Sequence, residues 1–170
     1  MKKRLWKMIL CGIMAISVLT ACSKAENESG QAGNASGQAV SSEQYVDAEG
    51  NIVVPVEDIS DKAAFVDSEY NGRTIEVILV KDTSGNIRCA FNTCQVCQGS
   101  PKAYYEQQGD TFVCQNCGNA FSVDQIGEEK GGCNPVPVED VKMTDETVTI
   151  SNEALQSAYD DFANWKGINQ

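Results

Sequence analysis

The sequence predicts a β-rich α+β fold: a small antiparallel sheet, a zinc-ribbon-like double CxxC metal site and a C-terminal amphipathic helix. Three observations carry this expectation. Short β-branched runs separated by turn residues fill Ile52 to Ile150, the pattern of consecutive short strands. Two cysteine pairs, "CQVC" at Cys94 and Cys97 and "CQNC" at Cys114 and Cys117, flank a strand–turn–strand pattern. After Ser151, Leu155, Ala158, Tyr159, Phe162 and Trp165 follow the spacing of one helix face.

Taken in order, Ile52 to Val56 is a short β-branched strand, and Pro55 marks it as an edge. Ala63 to Val66 is a weaker strand. Asn71-Gly72 signals a tight hairpin into Thr74 to Val80, a mostly buried strand. The turn Asp82 to Asn86 leads into Ile87 to Phe91, which delivers the chain to the first cysteine pair. Ala103 to Tyr105, Gly109-Asp110 and Thr111 to Val113 read as a hairpin joining the pairs, and Thr147 to Ile150 is the last strand. Ser151 is a good N-cap with Glu153 in the first turn, so a helix is expected over 152–166 with Gly167 as its C-cap. Its aromatic stripe belongs to the core.

The segment before this domain reads as an export signal. Lys2, Lys3, Arg4 and Lys7 form a basic start, and Met8 to Leu19 is an apolar run of 12 residues, too short to span a bilayer comfortably. Leu19-Thr20-Ala21-Cys22 resembles the lipobox of bacterial lipoproteins, in which the cysteine is acylated and becomes the first residue after cleavage. The alternative is an ordinary secretory signal with a chance cysteine. The expected organisation is a lipoprotein signal peptide (1–21), lipidated Cys22 with a flexible linker (22–44), and a cysteine-rich metal-binding domain (45–170). A thioether-linked diacylglycerol supplies two chains, enough for stable anchoring. That places the protein on the extracytoplasmic face of a bacterial membrane, with no inner-membrane retention signal at Ser23. Residues 23–44 contain almost no large apolar side chain and cannot offset their chain entropy by burial.

Composition excludes several classes. Residues 1–21 hold 4 of the 13 basic residues and none of the 24 acidic ones, so the remainder carries 9 against 24, a formal net charge of −15. That balance argues against nucleic acid and against electrostatic adhesion to anionic lipid, and favours attraction of cations. The chain has 0 histidines. His-ligated zinc, haem attachment through CxxCH, Rieske clusters and His-based catalytic triads are therefore out. No hydrolase constellation is present. The pairs Glu128-Glu129, Glu139-Asp140 and Asp160-Asp161 read as solvated faces, so a non-enzymatic metal-binding or electron-transfer protein is expected.

Cys94 to Cys117 spells C-x2-C-x16-C-x2-C, inside the zinc-ribbon spacing. Two residues between thiolates let one turn present both sulfurs to one cation at about 2.3 Å, and Gly118 permits a tight knuckle. Spacing alone does not separate zinc from iron, since both accept four thiolates. Other uses compete. Cys89-x4-Cys94-x2-Cys97 has the plant-type ferredoxin spacing, although Ile87 to Phe91 reads as a strand. Six cysteines outside the cell could form three disulfides. A CxxC could be a thioredoxin-like site of a thiol–disulfide oxidoreductase, although no βαβ pattern frames either pair.

At "IRCAFNTCQVC", "VCQNCGNAF" and "IGEEKGGCNPVPV" the sequence resembles the membrane iron–sulfur-containing FtrD-like family, over roughly Ile52 to Ile150. The resemblance implies that Cys94, Cys97, Cys114, Cys117 and Cys133 serve a cysteine-ligated iron–sulfur or iron centre. It also implies a link to iron transport, with a membrane iron transporter or permease as partner. Zinc, from the spacing, is the alternative cofactor, in a structural module that docks a membrane partner. Some members carry this domain behind transmembrane helices, whereas here a lipid anchor is expected. Cys89 departs from the family pattern. It reads as a buried small hydrophobe, an extra ligand, or a disulfide partner of Cys133. In Gly131-Gly132-Cys133-Asn134-Pro135-Val136-Pro137, glycines and prolines make a stiff loop that presents Cys133 as a fifth ligand, a replacement ligand or a redox partner.

Overall fold

A computed structural model of the chain describes residues 42–167. The expected signal segment, Cys22 and nearly all of the linker lie outside these residues. The fold is β-rich with little helix, as the sequence predicts. Three antiparallel sheets form the fold, one central and two outer.

The strands are β1 (Ile52–Pro55), β2 (Ala64–Tyr70), β3 (Arg73–Lys81), β4 (Ile87–Cys94), β5 (Tyr105–Gln108), β6 (Thr111–Cys114), β7 (Ala120–Ser122), β8 (Pro135–Pro137), β9 (Lys142–Met143) and β10 (Thr147–Ile150). The central sheet has the order β2-β3-β4-β8; the outer ones run β1-β10-β9 and β5-β6-β7. β1 is an edge strand, as Pro55 requires. Asn71 (φ 49°) and Gly72 (φ 74°) form the two-residue turn that pairs Tyr70 with Arg73. Positive φ at both positions matches the right-handed twist of the hairpin they join.

Alternation across the central sheet explains the apolar run Val77 to Val80 of β3. Ile75, Val77 and Leu79 of β3 face one core with Val66, Cys89 and Phe91, beneath Ile52, Val54, Val148, Ile150, Leu155 and Phe162. Ile78 and Val80 face the opposite core with Phe65, Ala90 and Cys94, against Tyr105, Phe112, Val123 and Ile126. A sheet buried on both faces needs apolar residues at successive positions. β4 continues to Cys94 instead of ending at Phe91, which inserts the first site cysteine into the second core.

The C-terminal helix is shorter than its periodicity suggests. Ser151 caps it, accepting the Ala154 N–H at 3.2 Å. α1 spans only Asn152–Ser157, and a 3-10 turn follows at Tyr159–Phe162. The Ser157 hydroxyl donates to the Ala154 carbonyl at 2.6 Å, a local bond that competes with regular helix. The Ala158 N–H then points to the carbonyls of Leu155 and Gln156, tightening the last turn. Leu155, Ala158 and Phe162 still pack as core residues. Gly167 is not the C-cap of this helix. It takes φ 69° beneath Trp165, where a Cβ would lie 2.5 Å from the indole ring. Among the described residues no helix is long and apolar enough to cross a membrane.

Candidate metal centre

Each CxxC pair forms a knuckle at the end of a strand. At the end of β4, the Gln98 N–H donates to the Cys94 carbonyl at 2.9 Å, and the Cys97 N–H donates to the Cys94 Sγ at 3.3 Å. At the end of β6, the Gly118 N–H donates to the Cys114 carbonyl at 2.8 Å, with Gly118 at φ 76°. The β5–β6 hairpin docks the second knuckle on the first: the Cys94 N–H reaches the Ala103 carbonyl (3.2 Å), and the Gln115 N–H reaches that of Tyr104 (2.8 Å).

Five thiols converge. The Sγ atoms of Cys94, Cys97 and Cys114 all lie within 4.8 Å of one another, and so do those of Cys97, Cys117 and Cys133. Four thiolates around one ion at about 2.3 Å stand about 3.8 Å apart; each trio approaches that spacing, whereas the four CxxC sulfurs do not all lie within 4.8 Å of one another. Cys94 and Cys114 are fully buried, Cys97 and Cys133 half-buried, and Cys117 exposed. The site is thus deep on one side and open to solvent on the other. Its donors are all thiols, a soft set that fits an iron–sulfur cluster or a thiophilic ion and disfavours hard oxygen-seeking cations.

Cys89 is not among them. It points to the first core, the opposite face of the central sheet from Cys94, and it is buried there. Its only strong influence is burial, which pushes the thiol up. The structure places it as a small core hydrophobe, with the sheet between it and Cys133.

The metal-free thiols are electrostatically unequal. Burial would raise Cys94, but contact with the Tyr105 hydroxyl and bonds from the Cys97 and Val96 N–H groups reverse the sign and hold it below its ordinary value. Cys117 is also held low, chiefly by the Asn119 N–H. Burial pushes Cys114 up to about 12. Contact with Cys117, then burial, pushes Cys133 up to about 11. Cys97 is raised by burial first and then by Cys94 and Cys117. Each pair therefore holds one thiol poised to ionise beside one that resists it.

The loop 131–135 is fastened by residues that sequence reasoning passed over. Gln95, inside the first CxxC, accepts the Gly131 N–H (2.7 Å) and donates to the carbonyls of Glu129 (3.0 Å) and Pro135 (2.9 Å). Its own N–H reaches the Asn134 carbonyl at 3.0 Å. The Asn134 side chain closes the loop on the Gly131 carbonyl at 2.7 Å. Buried Tyr105 donates its hydroxyl proton to the Cys133 carbonyl. A polar residue between two candidate ligands was the available signal for Gln95; nothing local marked Tyr105.

Behind the site lies a buried polar row. Asp67 of β2 faces Glu76 of β3 in register. The Asn92 amide of β4 donates to Glu76, and its oxygen accepts the Tyr105 N–H at 2.7 Å. Trp165 donates its indole N–H to the Asn92 carbonyl at 2.7 Å. This row joins the central sheet to the first residue of β5.

A family model described as membrane iron-sulfur containing protein FtrD-like matches residues 56–162. The match spans more than half of the chain and includes all five clustered cysteines. The chain belongs to this family. No curated protein and no solved structure matches it.

Proposed function

We propose that this member of the FtrD-like family is a lipid-anchored protein on the extracytoplasmic face of a bacterial membrane. Its thiolate centre passes electrons or a metal ion to a membrane iron-transport partner. Residues 1–21 serve as the signal peptide, Cys22 carries the lipid, the linker runs to residue 44, and 45–170 form the working domain. The observation that carries the reading is the convergence of five thiols at one partly open site, within a family described as membrane and iron–sulfur containing.

Cys94, Cys97, Cys114 and Cys117 would hold the metal, with Cys133 at its solvent side. An iron–sulfur cluster or iron bound there supplies one-electron chemistry. The chain's part is to present soft ligands, to dry one side of the centre with Phe112, Tyr105 and Ile126, and to leave Cys117 accessible. A formal net charge of −11 for the whole chain favours the approach of cations.

The matching knuckles favour a second reading, a zinc ion that only stabilises the fold. A thiol–disulfide oxidoreductase has less support, because every strand pairing among the described residues is antiparallel and neither pair sits in a βαβ unit. The test is elemental analysis and a visible spectrum of protein purified without oxygen. Iron, acid-labile sulfide and absorbance bleached by dithionite support the redox centre. A colourless protein with stoichiometric zinc overturns it, because Zn²⁺ is d¹⁰ and redox-inert.

A further inference from the structure

The five thiols do not surround one point. They form two trios that share a single sulfur, that of Cys97. We propose that the cluster offers two cation positions: an inner one among Cys94, Cys97 and Cys114, and an outer one among Cys97, Cys117 and Cys133. The Cys97 thiolate bridges them, and the outer position takes up and releases a thiophilic cation. This inference rests on the thiolate-centre reading and adds to it a second, exchangeable site.

Three features lead there. The first is ligand number. One tetrahedral ion uses four thiolates and leaves a fifth beside it. The second is charge. Four thiolates around one divalent cation carry a formal charge of about −2 next to an apolar core, and desolvated unpaired charge is costly. A second divalent cation lowers that to about −1, with each bound thiol giving its proton to solvent. The third is the difference in depth. Cys94 and Cys114 are fully buried, so an ion between them is enclosed by protein; Cys117 is exposed and Cys133 half-buried, so an ion between these two meets solvent.

The loop geometry supports a built outer position. Gln95, Asn134 and the Tyr105 hydroxyl fix the backbone on either side of Cys133, so its sulfur is held beside Cys97 and Cys117 before any ion arrives. Preorganisation of that kind lowers the ordering cost of binding. Three thiolates with a remaining open position suit a soft or borderline cation that must later leave for another ligand set.

The experiment is an anaerobic titration of the reduced, demetallated full-length chain with Cd²⁺, followed by thiolate-to-cadmium absorbance and ¹¹³Cd resonance. The expected result is two Cd²⁺ per chain, the second bound more weakly by roughly tenfold or more and removed first by a chelator. Cys133→Ser should abolish the second equivalent and retain the first. One Cd²⁺ per chain with Cys133→Ser indistinguishable from the parent overturns the two-position proposal and leaves a single thiolate centre standing. No Cd²⁺ bound at all overturns both.

Discussion

The Tyr105 hydroxyl donates its proton to the backbone carbonyl of Cys133, bridging the β5–β6 hairpin and the glycine loop. Tyr105 is fully buried, and in the ladder it stands opposite Cys114. One side chain therefore fixes the spacing between a deep site cysteine and an outer one. Burial first, then its contact with Cys94, pushes the phenol far above its ordinary value, so it remains a donor at any physiological pH.

Tyr105→Phe keeps the ring packed and deletes that donor. Losing one buried hydrogen bond should cost about 1–2 kcal/mol, because the Cys133 carbonyl is left without its partner. The loop should also loosen. The expected outcome is a lower melting temperature with faster alkylation of Cys133, while Cys94 stays protected. Equal alkylation rates in parent and variant would rule out a positioning role for Tyr105.

Gln95→Ala removes three bonds that hold residues 129–135, those to Glu129, Gly131 and Pro135. Gln95→Glu retains the acceptor for Gly131 and loses both donors. Exchange protection of the Gly131 amide should fall in the alanine variant and persist in the glutamate variant. Each should destabilise the protein, the alanine variant by about 1–3 kcal/mol. Unchanged Gly131 protection in Gln95→Ala would sink this account of the loop.

These two residues also mark where sequence reading stops. The doubled CxxC and the Asn71-Gly72 hairpin were legible because each is a local signal: ligand spacing in one, two left-handed residues in the other. Thr74 to Val80 was legible as a mostly buried strand, since Val77 to Val80 are apolar without alternation. β8 was not. Pro135 and Pro137 lack N–H groups and argue against a strand, yet an edge position opposite Cys94 and Ala90 tolerates them. β7 and β9, of 3 and 2 residues, are shorter than any periodicity can register. The helix was overextended because the apolar stripe continues through Trp165, while the Ser157 back-bond that tightens the backbone leaves no mark on that stripe. Asp67 and Glu76 looked unrelated because β2 was expected to end at Val66; only the longer strand and its register bring them face to face.

Removing the metal should weaken the whole β5–β7 layer. The knuckle residues Cys94 and Cys114 sit in the core that includes Phe112 and Tyr105, so ligation and packing are coupled. Metal binding of this kind contributes folding free energy. A chelator under reducing conditions should lower the melting temperature, and Cys114→Ser should mimic it. Cys89→Ala, on the far face of the sheet, should leave metal content unchanged. A chelator-insensitive melting temperature in metal-loaded protein would contradict this coupling.

Membrane attachment is expected to depend on Cys22. Cys22→Ser deletes the proposed acylation site and leaves residues 45–170 unaltered in sequence. The variant should accumulate unprocessed or leave the membrane fraction, whereas the parent should partition into detergent. Processing and retention equal to the parent's would defeat the lipoprotein assignment.

The buried acid pair gives a pH dependence whose sign can be worked out. Glu76 is 2 % exposed and Asp67 is half-buried, with no cation in bonding range of either among the described residues. The Asp67 Oδ1 is buried without a hydrogen-bond partner. Burial first, and the Asp67 charge after it, pushes Glu76 up to about 8 from an ordinary value of 4.5; the Asn92 bond offsets only part of this. Burial also raises Asp67. A carboxyl whose folded value lies above its unfolded one binds more protons in the folded state, so stability falls as pH rises between those values. The protein should therefore be more stable near pH 5 than near pH 8, as far as this pair is concerned, with most of the loss complete once Glu76 ionises. Glu76→Gln keeps the shape and removes the ionisation. It should flatten the dependence between about pH 5 and 8 and raise stability at pH 8 by an amount on the order of 1–3 kcal/mol. Denaturant midpoints of parent and variant across that range provide the measurement. Parallel curves would mean that Glu76 is ionised throughout this range and would overturn the raised value.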